Sequence, residues 1–192
     1  MLEVSAGMSA VPKQRMTADE FIAWAMQQPE GRRYELVAGE VVGMAPERVA
    51  HTVVKGNVFV ALRAALRASG AGCQAFTDGV SVRVDGSTIY EPDASIRCGQ
   101  PVDPCATEIT DPLLVVEVLS PASLRVDTGA KLADYMRVPS VRHYLIVDPD
   151  RRTVVHHVRR DIGSIETRIL RGGLLALDPP GIEVMVDSFF ED

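Results

Sequence analysis

The chain has 192 residues, of which 46% are hydrophobic and 24% are charged, and its formal net charge is −6. This balance is typical of one soluble globular domain, and no window approaches the ~18 consecutive apolar residues that a membrane span requires. The acidic charge argues against tight, non-specific nucleic-acid binding, which depends on clustered lysine and arginine. Nucleic acid is not thereby excluded as a partner.

Residues 1–15 show no periodicity and are predicted to be a flexible tail, followed by a single domain over residues 16–192. No basic start is followed by an apolar block, so we expect no secretion signal and a cytoplasmic location. The three cysteines, Cys73, Cys98 and Cys105, form no CxxC pair, which argues against a zinc site. We therefore expect reduced thiols.

The first half of the domain is predicted to be helix, hairpin and helix. Thr17 and Glu20 have the spacing of a capping box at the start of a helix within residues 16–31. Gly39 suits the tight turn of a hairpin. A long helix follows over residues 49–70. Its buried stripe is predicted at Val49, Val53, Val60, Ala64 and the neighbouring apolar positions. Four basic residues of this segment are predicted to lie mostly off that stripe: Arg48, Lys55, Arg63 and Arg67.

The second half is predicted to consist mainly of strands. The extended runs cover residues 73–84, 87–98, 113–120, 141–150, 152–160, 165–173 and 181–190. One helix interrupts them over residues 127–140, with Asp127 or Thr128 as its cap. Three histidines, His143, His156 and His157, have no acid or cysteine at ligand spacing and are predicted to be surface or hairpin residues. The order predicts a mixed α/β domain with a central sheet flanked by helices.

A carboxylate stands inside the most apolar of these strands. In "LLVVEVLSP" the alternation of side chains puts Val115 and Glu117 on one face and Val116 and Val118 on the other. In "IYEPDASI" the same count groups the polar residues on one face: Glu91, Asp93 and Ser95. The apolar residues Tyr90, Ala94 and Ile96 would then share the opposite face, with a local break at Pro92. A buried carboxylate such as Glu117 requires a partner.

If these two strands are neighbours, Asp93 and Glu117 converge and repel each other unless a cation lies between them. Mg²⁺ fits, because it binds one or two carboxylates and keeps several waters. The backbone carbonyl of Val118 offers another oxygen, and Glu35 is a possible third acid. Lys131, in the first turn of the following helix, would be the local positive charge. The simpler alternative is a turn at Asp93 and an ordinary buried ion pair at Glu117.

The segments "EPDAS", "VVEVLSP" and "DTGAKLADY" resemble the PD-(D/E)-x-K nuclease superfamily, which has the restriction-endonuclease-like fold. More narrowly, residues 16–190 resemble the Uma-type group of bacterial candidate endonucleases. The resemblance implies a Mg²⁺-dependent endonuclease, with Mn²⁺ as a possible substitute, that acts on DNA and works as a homodimer. The superfamily places its lysine two residues after the acid, and this position is Leu119 here.

Carried over residue by residue, the resemblance implies that Asp93 and Glu117 bind the metal and that Lys131 assists the attacking water. Glu35 matches an auxiliary acid of the group. His51, at the start of the second long helix, matches a recurrent histidine that contacts the phosphate or positions water.

Basic residues around the second helix are the candidate DNA contacts: Arg32, Arg33, Lys55, Arg63 and Arg67. A non-catalytic domain that keeps the fold as a binding or assembly module is the competing interpretation. Hydrolysis of a small phosphate ester is a more remote one.

Overall fold

The computed structural model describes residues 15–120, 129–161 and 163–191. Its helices are α1 (Ala18–Ala25), α2 (Val49–Ser69) and α3 (Ala130–Tyr135), and a 3-10 helix spans Val186–Phe190. The strands are β1 (Tyr34–Val37), β2 (Glu40–Gly43), β3 (Cys73–Thr77), β4 (Ser81–Asp85), β5 (Thr88–Tyr90), β6 (Ala94–Cys98), β7 (Glu108–Ile109), β8 (Leu114–Val118), β9 (His143–Asp148), β10 (Thr153–Arg159), β11 (Ile165–Leu170), β12 (Leu174–Leu177) and β13 (Ile182–Met185).

A six-stranded sheet of order β11-β10-β9-β8-β6-β3 is the centre of the molecule. Strands β8 and β9 are parallel and the other pairs in this sheet are antiparallel, so the sheet is mixed. A five-stranded sheet of order β2-β1-β5-β4-β7 lies beside it, and β12 and β13 form a separate hairpin. The predicted mixed α/β architecture with a central mixed sheet and additional C-terminal strands is confirmed.

The six-stranded sheet is buried on both faces. From β8, Leu114, Val116 and Val118 join a core cluster with α2 and the 3-10 helix. Val115 joins a second cluster, with Tyr135 of α3 on the opposite face. The predicted alternation along β8 is therefore confirmed, and it directs Glu117 towards α3.

Two predicted strands, residues 73–84 and 87–98, each divide between the two sheets. β3 and β6 belong to the six-stranded sheet, whereas β4 and β5 belong to the five-stranded one. Because the chain turns at Pro92, Tyr90 packs on the α3 side while Ala94 and Ile96 pack on the α2 side. The prediction that these three residues share a face is wrong. The segments between the paired strands lie where the sheets separate, and we call this place the sheet junction.

The predicted buried stripe of α2 is also wrong. Val49, Val53, Val60 and Ala64 are exposed. The buried apolar positions repeat every four residues: Val54, Val58, Leu62 and Leu66. Leu62 and Leu66 pack in the core on the same side of the helix as Val54 and Val58, which leaves Val49, Val53 and Val60 exposed. By length and composition α2 could span a membrane, but its buried stripe packs in the core of the domain, as the core helix of a soluble protein does.

Two further predictions are corrected. Cys73 and Cys98 stand directly opposite each other on β3 and β6 and form a disulfide, so reduced thiols are wrong for this pair, while Cys105 is free and exposed. His143, His156 and His157 are buried, not on the surface.

His143 lies on β9 and His156 and His157 lie on β10, and both are interior strands of the six-stranded sheet whose residues are nearly all buried. His143 Nδ1 lies 2.9 Å from His156 Nε2, and burial together with the charge of His143 lowers the pKa of His156 to about 3. The predicted α3 caps Asp127 and Thr128 lie outside the described residues.

The corrected orientation of α2 can be tested with two matched truncations. We expect Leu62→Ala to lower the free energy of unfolding by about 2–5 kcal/mol, because it opens a cavity in the core. Val60→Ala, on the exposed side of the same helix, should change it by less than about 0.5 kcal/mol. Urea denaturation measures both values, and the opposite ranking would contradict this packing.

Candidate functional site

Glu117 of β8 shares a lysine with Glu35 of β1. Lys131 Nζ lies 2.9 Å from Glu117 Oε1 and 3.0 Å from Glu35 Oε1. The hydroxyl of Tyr135 donates to the same Glu117 oxygen at 2.9 Å. Lys131 and Tyr135 are one helical turn apart, so α3 presents both to the strand. These four side chains are buried.

Asp93 lies beside this group at the sheet junction. Its Oδ2 accepts the backbone N–H of Val118 at 2.6 Å, and its Oδ1 lies 3.0 Å from Lys55 Nζ. On the other side of the junction, the backbone N–H of Glu91 donates to Glu35 Oε1 at 3.0 Å. The N–H group of Glu91, just after β5, and that of Val118, the last residue of β8, are thus bonded to carboxylates. The structure brings Glu35, Asp93, Glu117 and Lys131 to one place.

A second cationic group adjoins Asp93. Lys55 Nζ lies 2.8 Å from both Glu47 Oε1 and Asp78 Oδ2. Arg33 contacts Asp78 through Nη1 and Glu91 through Nε, both at 2.7 Å. Lys55 is 5% exposed, so the prediction that it lies off the buried side of α2 is wrong. Its ammonium, like the guanidinium of Arg33, is directed to carboxylates of the chain.

His51 joins α2 to the end of β8. Its Nε2 lies 2.6 Å from the Val118 carbonyl oxygen and 3.7 Å from Asp93 Oδ2, and its Nδ1 lies 3.2 Å from Glu47 Oε2. A carbonyl oxygen only accepts hydrogen bonds, so Nε2 carries a proton. Nδ1 then faces the Glu47 carboxylate, and either a second proton or a metal ion between them makes that contact favourable. The Val118 carbonyl, a predicted metal ligand, is bonded to His51.

Protonation states follow from burial and from these contacts. Burial disfavours the charged form of Lys55, but attraction to Asp93 and hydrogen bonds to Asp78 and Glu47 outweigh burial and raise its pKa. Burial alone would raise the pKa of Glu47 and Asp78, yet their contacts with Lys55 lower it. Burial raises the pKa of Glu91, and the Arg33 charge only partly offsets this effect.

Tyr135 stays protonated and donates to Glu117. Burial, reinforced by the charges of Glu117 and Glu35, raises its pKa well above the ordinary value.

The acids outnumber the cations in this described part of the molecule. Six carboxylates meet three cationic side chains, an excess of three negative charges: Glu35, Glu47, Asp78, Glu91, Asp93 and Glu117 with Arg33, Lys55 and Lys131. Glu47, His51 and Asp93 each offer one ligand atom, and these three atoms lie within 4.8 Å of one another. Carboxylate oxygens suit Mg²⁺ and Mn²⁺, and an imidazole is compatible with the softer of the two. The donor chemistry therefore fits a divalent cation.

Sequence reasoning missed Glu47, Asp78 and the role of Lys55. A usable signal existed, because His51 and Lys55 are four residues apart and so lie on one side of α2, while Glu47 stands four residues before His51, just ahead of the helix. Asp78 had no such signal. It reaches the site only because β3 and β4 belong to different sheets.

Three kinds of comparison relate this chain to known proteins. The model of the Uma2 family, described as "Putative restriction endonuclease", matches residues 18–186. The protein slr1290 of Synechocystis sp., described as uncharacterized, is 29% identical over 157 residues, which is 81% of this chain and 80% of the relative. A crystal structure from Anabaena variabilis, titled a putative nuclease belonging to DUF820, superposes with a TM-score of 0.71. It covers 91% of this chain and 97% of its own at 18% identity, and it shows the same nuclease fold.

Lys55→Met should reveal the electrostatic coupling through its pH dependence. A lysine whose pKa is raised in the folded state contributes its full stabilisation at pH values below its unfolded pKa of about 10.4. Acids whose pKa is lowered in the folded state contribute theirs above about pH 4. At pH 7 we therefore expect a loss of about 3–5 kcal/mol, because several carboxylates lose their shared cation.

The loss should shrink as the pH falls through the folded pKa values of Glu47 and Asp78, where these acids become neutral. Urea denaturation at pH 7 and near pH 3 measures it, with the exposed Arg63→Met as the control. A pH-independent loss would show that Lys55 acts through packing alone.

Proposed function

This chain belongs to the Uma2 family, and on that premise we propose that it is a metal-dependent endonuclease that hydrolyses phosphodiester bonds of DNA. The observation that carries the proposal is the convergence of buried acids from separate strands on one lysine. Lys131 Nζ lies within 3.0 Å of both Glu35 and Glu117, and Asp93 is bonded to the residue after Glu117. An ordinary structural ion pair needs one acid for one base.

In the proposed mechanism Asp93 and Glu117 would hold the metal, assisted by Glu35 and by the carbonyl of Val118. A bound Mg²⁺ or Mn²⁺ would supply relief of negative charge on the phosphate and a lowered pKa for a bound water. The three-residue group Glu47, His51 and Asp93 is the other donor set that the geometry supports. Asp93 is common to both sets, so its carboxylate is the ligand on which the proposal most depends.

Lys131 would hold the attacking water or stabilise charge that develops on the phosphate. Its position on α3 would compensate for Leu119, which packs with apolar residues at the superfamily's usual lysine position. Tyr135 supports this role indirectly, because its hydroxyl fixes the Glu117 oxygen that also binds Lys131. His51 would orient water or phosphate beside Asp93.

DNA is the proposed substrate, and the exposed arginines Arg32, Arg63 and Arg67 are the proposed contacts. Arg33 and Lys55 are less suited, because carboxylates already neutralise them. A cytoplasmic location and a homodimer, which would supply two sites for two strands, complete the proposal.

A non-catalytic assembly module is the alternative, and one observation favours it. The cations of the site are bonded to carboxylates of the chain, so a rigid salt-bridge network explains the same residues without chemistry. Calorimetric titration with Mn²⁺, followed by plasmid nicking with and without chelator, separates the two functions. Saturable metal binding without cleavage of any nucleic acid would favour the module.

Three substitutions at the proposed centre should abolish cleavage. We expect Asp93→Asn, Glu117→Gln and Lys131→Met each to reduce metal-dependent plasmid nicking by about 10²–10³-fold, because each removes a metal ligand or a charge needed in the transition state. Glu183→Gln, which changes an exposed acid on β13, is the matched control. Circular dichroism checks that the variants fold, and full activity in all three would refute the assignment.

The two donor sets can be distinguished by calorimetry. If Glu35 and Glu117 are ligands, Glu35→Gln should weaken Mn²⁺ binding about tenfold or more, whereas Glu47→Gln should change it little. The reverse result would assign the metal to Glu47, His51 and Asp93. Asp93→Asn should weaken binding in either case, because Asp93 belongs to both sets, and unchanged binding in this variant would exclude both.

A further inference from the structure

The outer edge of β11 is open in the described structure. β11 is the terminal strand of the six-stranded sheet, and most of its residues are exposed. Two of them are large and apolar: Ile165 is 45% exposed and Ile169 is 68% exposed. An exposed edge of this kind is a template for another strand.

The hydrogen-bond phase shows which backbone groups face outward. Arg160 N–H donates to the Ser164 carbonyl, and Arg159 N–H donates to the Arg142 carbonyl on the other side of β10. Along an antiparallel strand, successive residues direct their backbone N–H and C=O groups to opposite sides. The two observed bonds agree on which residues of β10 face β11. The even-numbered residues of β11 therefore bond to β10. Ile165, Thr167 and Ile169 direct their N–H and C=O groups away from the sheet.

The sequence of the edge, "IETRI" over residues 165–169, is complementary to its own reverse. We propose that two copies of this chain pair antiparallel through β11, with Thr167 opposite the partner's Thr167. Glu166 then lies opposite the partner's Arg168, and Ile165 lies opposite the partner's Ile169. The outward-directed N–H and C=O groups of the three odd-numbered residues would form hydrogen bonds with the same groups of the partner's β11. The two six-stranded sheets would then be continuous.

Charge selects this register among the neighbouring ones. A two-fold axis at Glu166 or at Arg168 would place like charges directly opposite each other, which is unfavourable. Within one chain Glu166 already contacts Arg160 at 2.6 Å and Arg168 at 2.5 Å, on the exposed side of the strand. Pairing of the two β11 strands therefore places Glu166 and Arg168 beside side chains of opposite charge. This inference does not depend on the nuclease proposal, since it rests on the edge strand alone.

Cysteine cross-linking tests the register. In the proposed pair the two Thr167 Cα atoms are about 5.5 Å apart, within the range of a disulfide. Thr167→Cys, in a Cys105→Ser background, should form a covalent dimer under mild oxidation. Ile165→Cys is the matched control, since it lies on the same face but about 13 Å from its symmetry mate. Cross-linking that is equal in both variants, or absent in Thr167→Cys, would overturn the proposal.

Charge reversal tests the pairing without oxidation. Because one strand pair is a small interface, we expect a weak dimer, detectable by sedimentation equilibrium at up to about 200 µM protein. Glu166→Arg and Arg168→Glu should each raise the dimer dissociation constant about tenfold, because each converts two cross-strand attractions into repulsions. The double variant should recover most of the loss. A wild-type chain that is monomeric at every concentration, or reversals without effect, would overturn the proposal.

Discussion

The requirement that a buried carboxylate be paired organises the centre of this molecule. Glu117 is a carboxylate in a strand that is buried at every position, and α3 supplies both Lys131 and Tyr135 to it. Lys131 also binds Glu35, which ties β1 of one sheet to β8 of the other. The acid therefore costs less than an isolated buried charge would. The pairing also fixes α3 against the sheet at the point where chemistry is proposed.

The sheet junction explains why so many acids gather there. Strands that stay in one sheet bond their N–H groups to neighbouring strands, but at the junction the ladders end. Two of the N–H groups at this place, those of Glu91 and Val118, donate to Glu35 and Asp93. Each carboxylate thus gains a backbone donor together with a cation. The division of the strands near Pro92 both opens the space and provides the donors that fill it.

Sequence reasoning predicted most of what depends on strand alternation. The direction of Glu117 follows from the alternation of side chains along a strand. The mixed sheet and the short path from β8 to Lys131 follow from the order of the elements along the chain. Sequence reasoning failed where two patterns along the chain were equally apolar and only tertiary packing decided which one is buried. On α2, two apolar stripes compete, and only the sheet shows that Leu62 is buried and that Val60 is exposed.

The difference between the predicted and the observed buried side of α2 also explains why Lys55 is predicted to lie off that side. A lysine beside an apolar stripe is ordinarily a surface residue, and no pattern along the chain foretells that Glu47, Asp78 and Asp93 will surround it. Burial is what gives these charges their strength. Their mutual attraction is little screened by solvent, and the excess of acids among the described residues suits a divalent cation.

That excess of acids also constrains how Lys131 can act. A metal ion bound as proposed would compete with the lysine for the same carboxylate oxygens, so stronger pairing of Lys131 with Glu35 and Glu117 would oppose metal binding. A catalytic Lys131 must therefore exchange part of its contact with these acids for contact with water or phosphate when substrate is present. Tyr135 makes this exchange less costly, because its hydroxyl remains on the Glu117 oxygen if the ammonium moves. The pairing that stabilises the free protein is thus the one that the proposed substrate binding would have to rearrange.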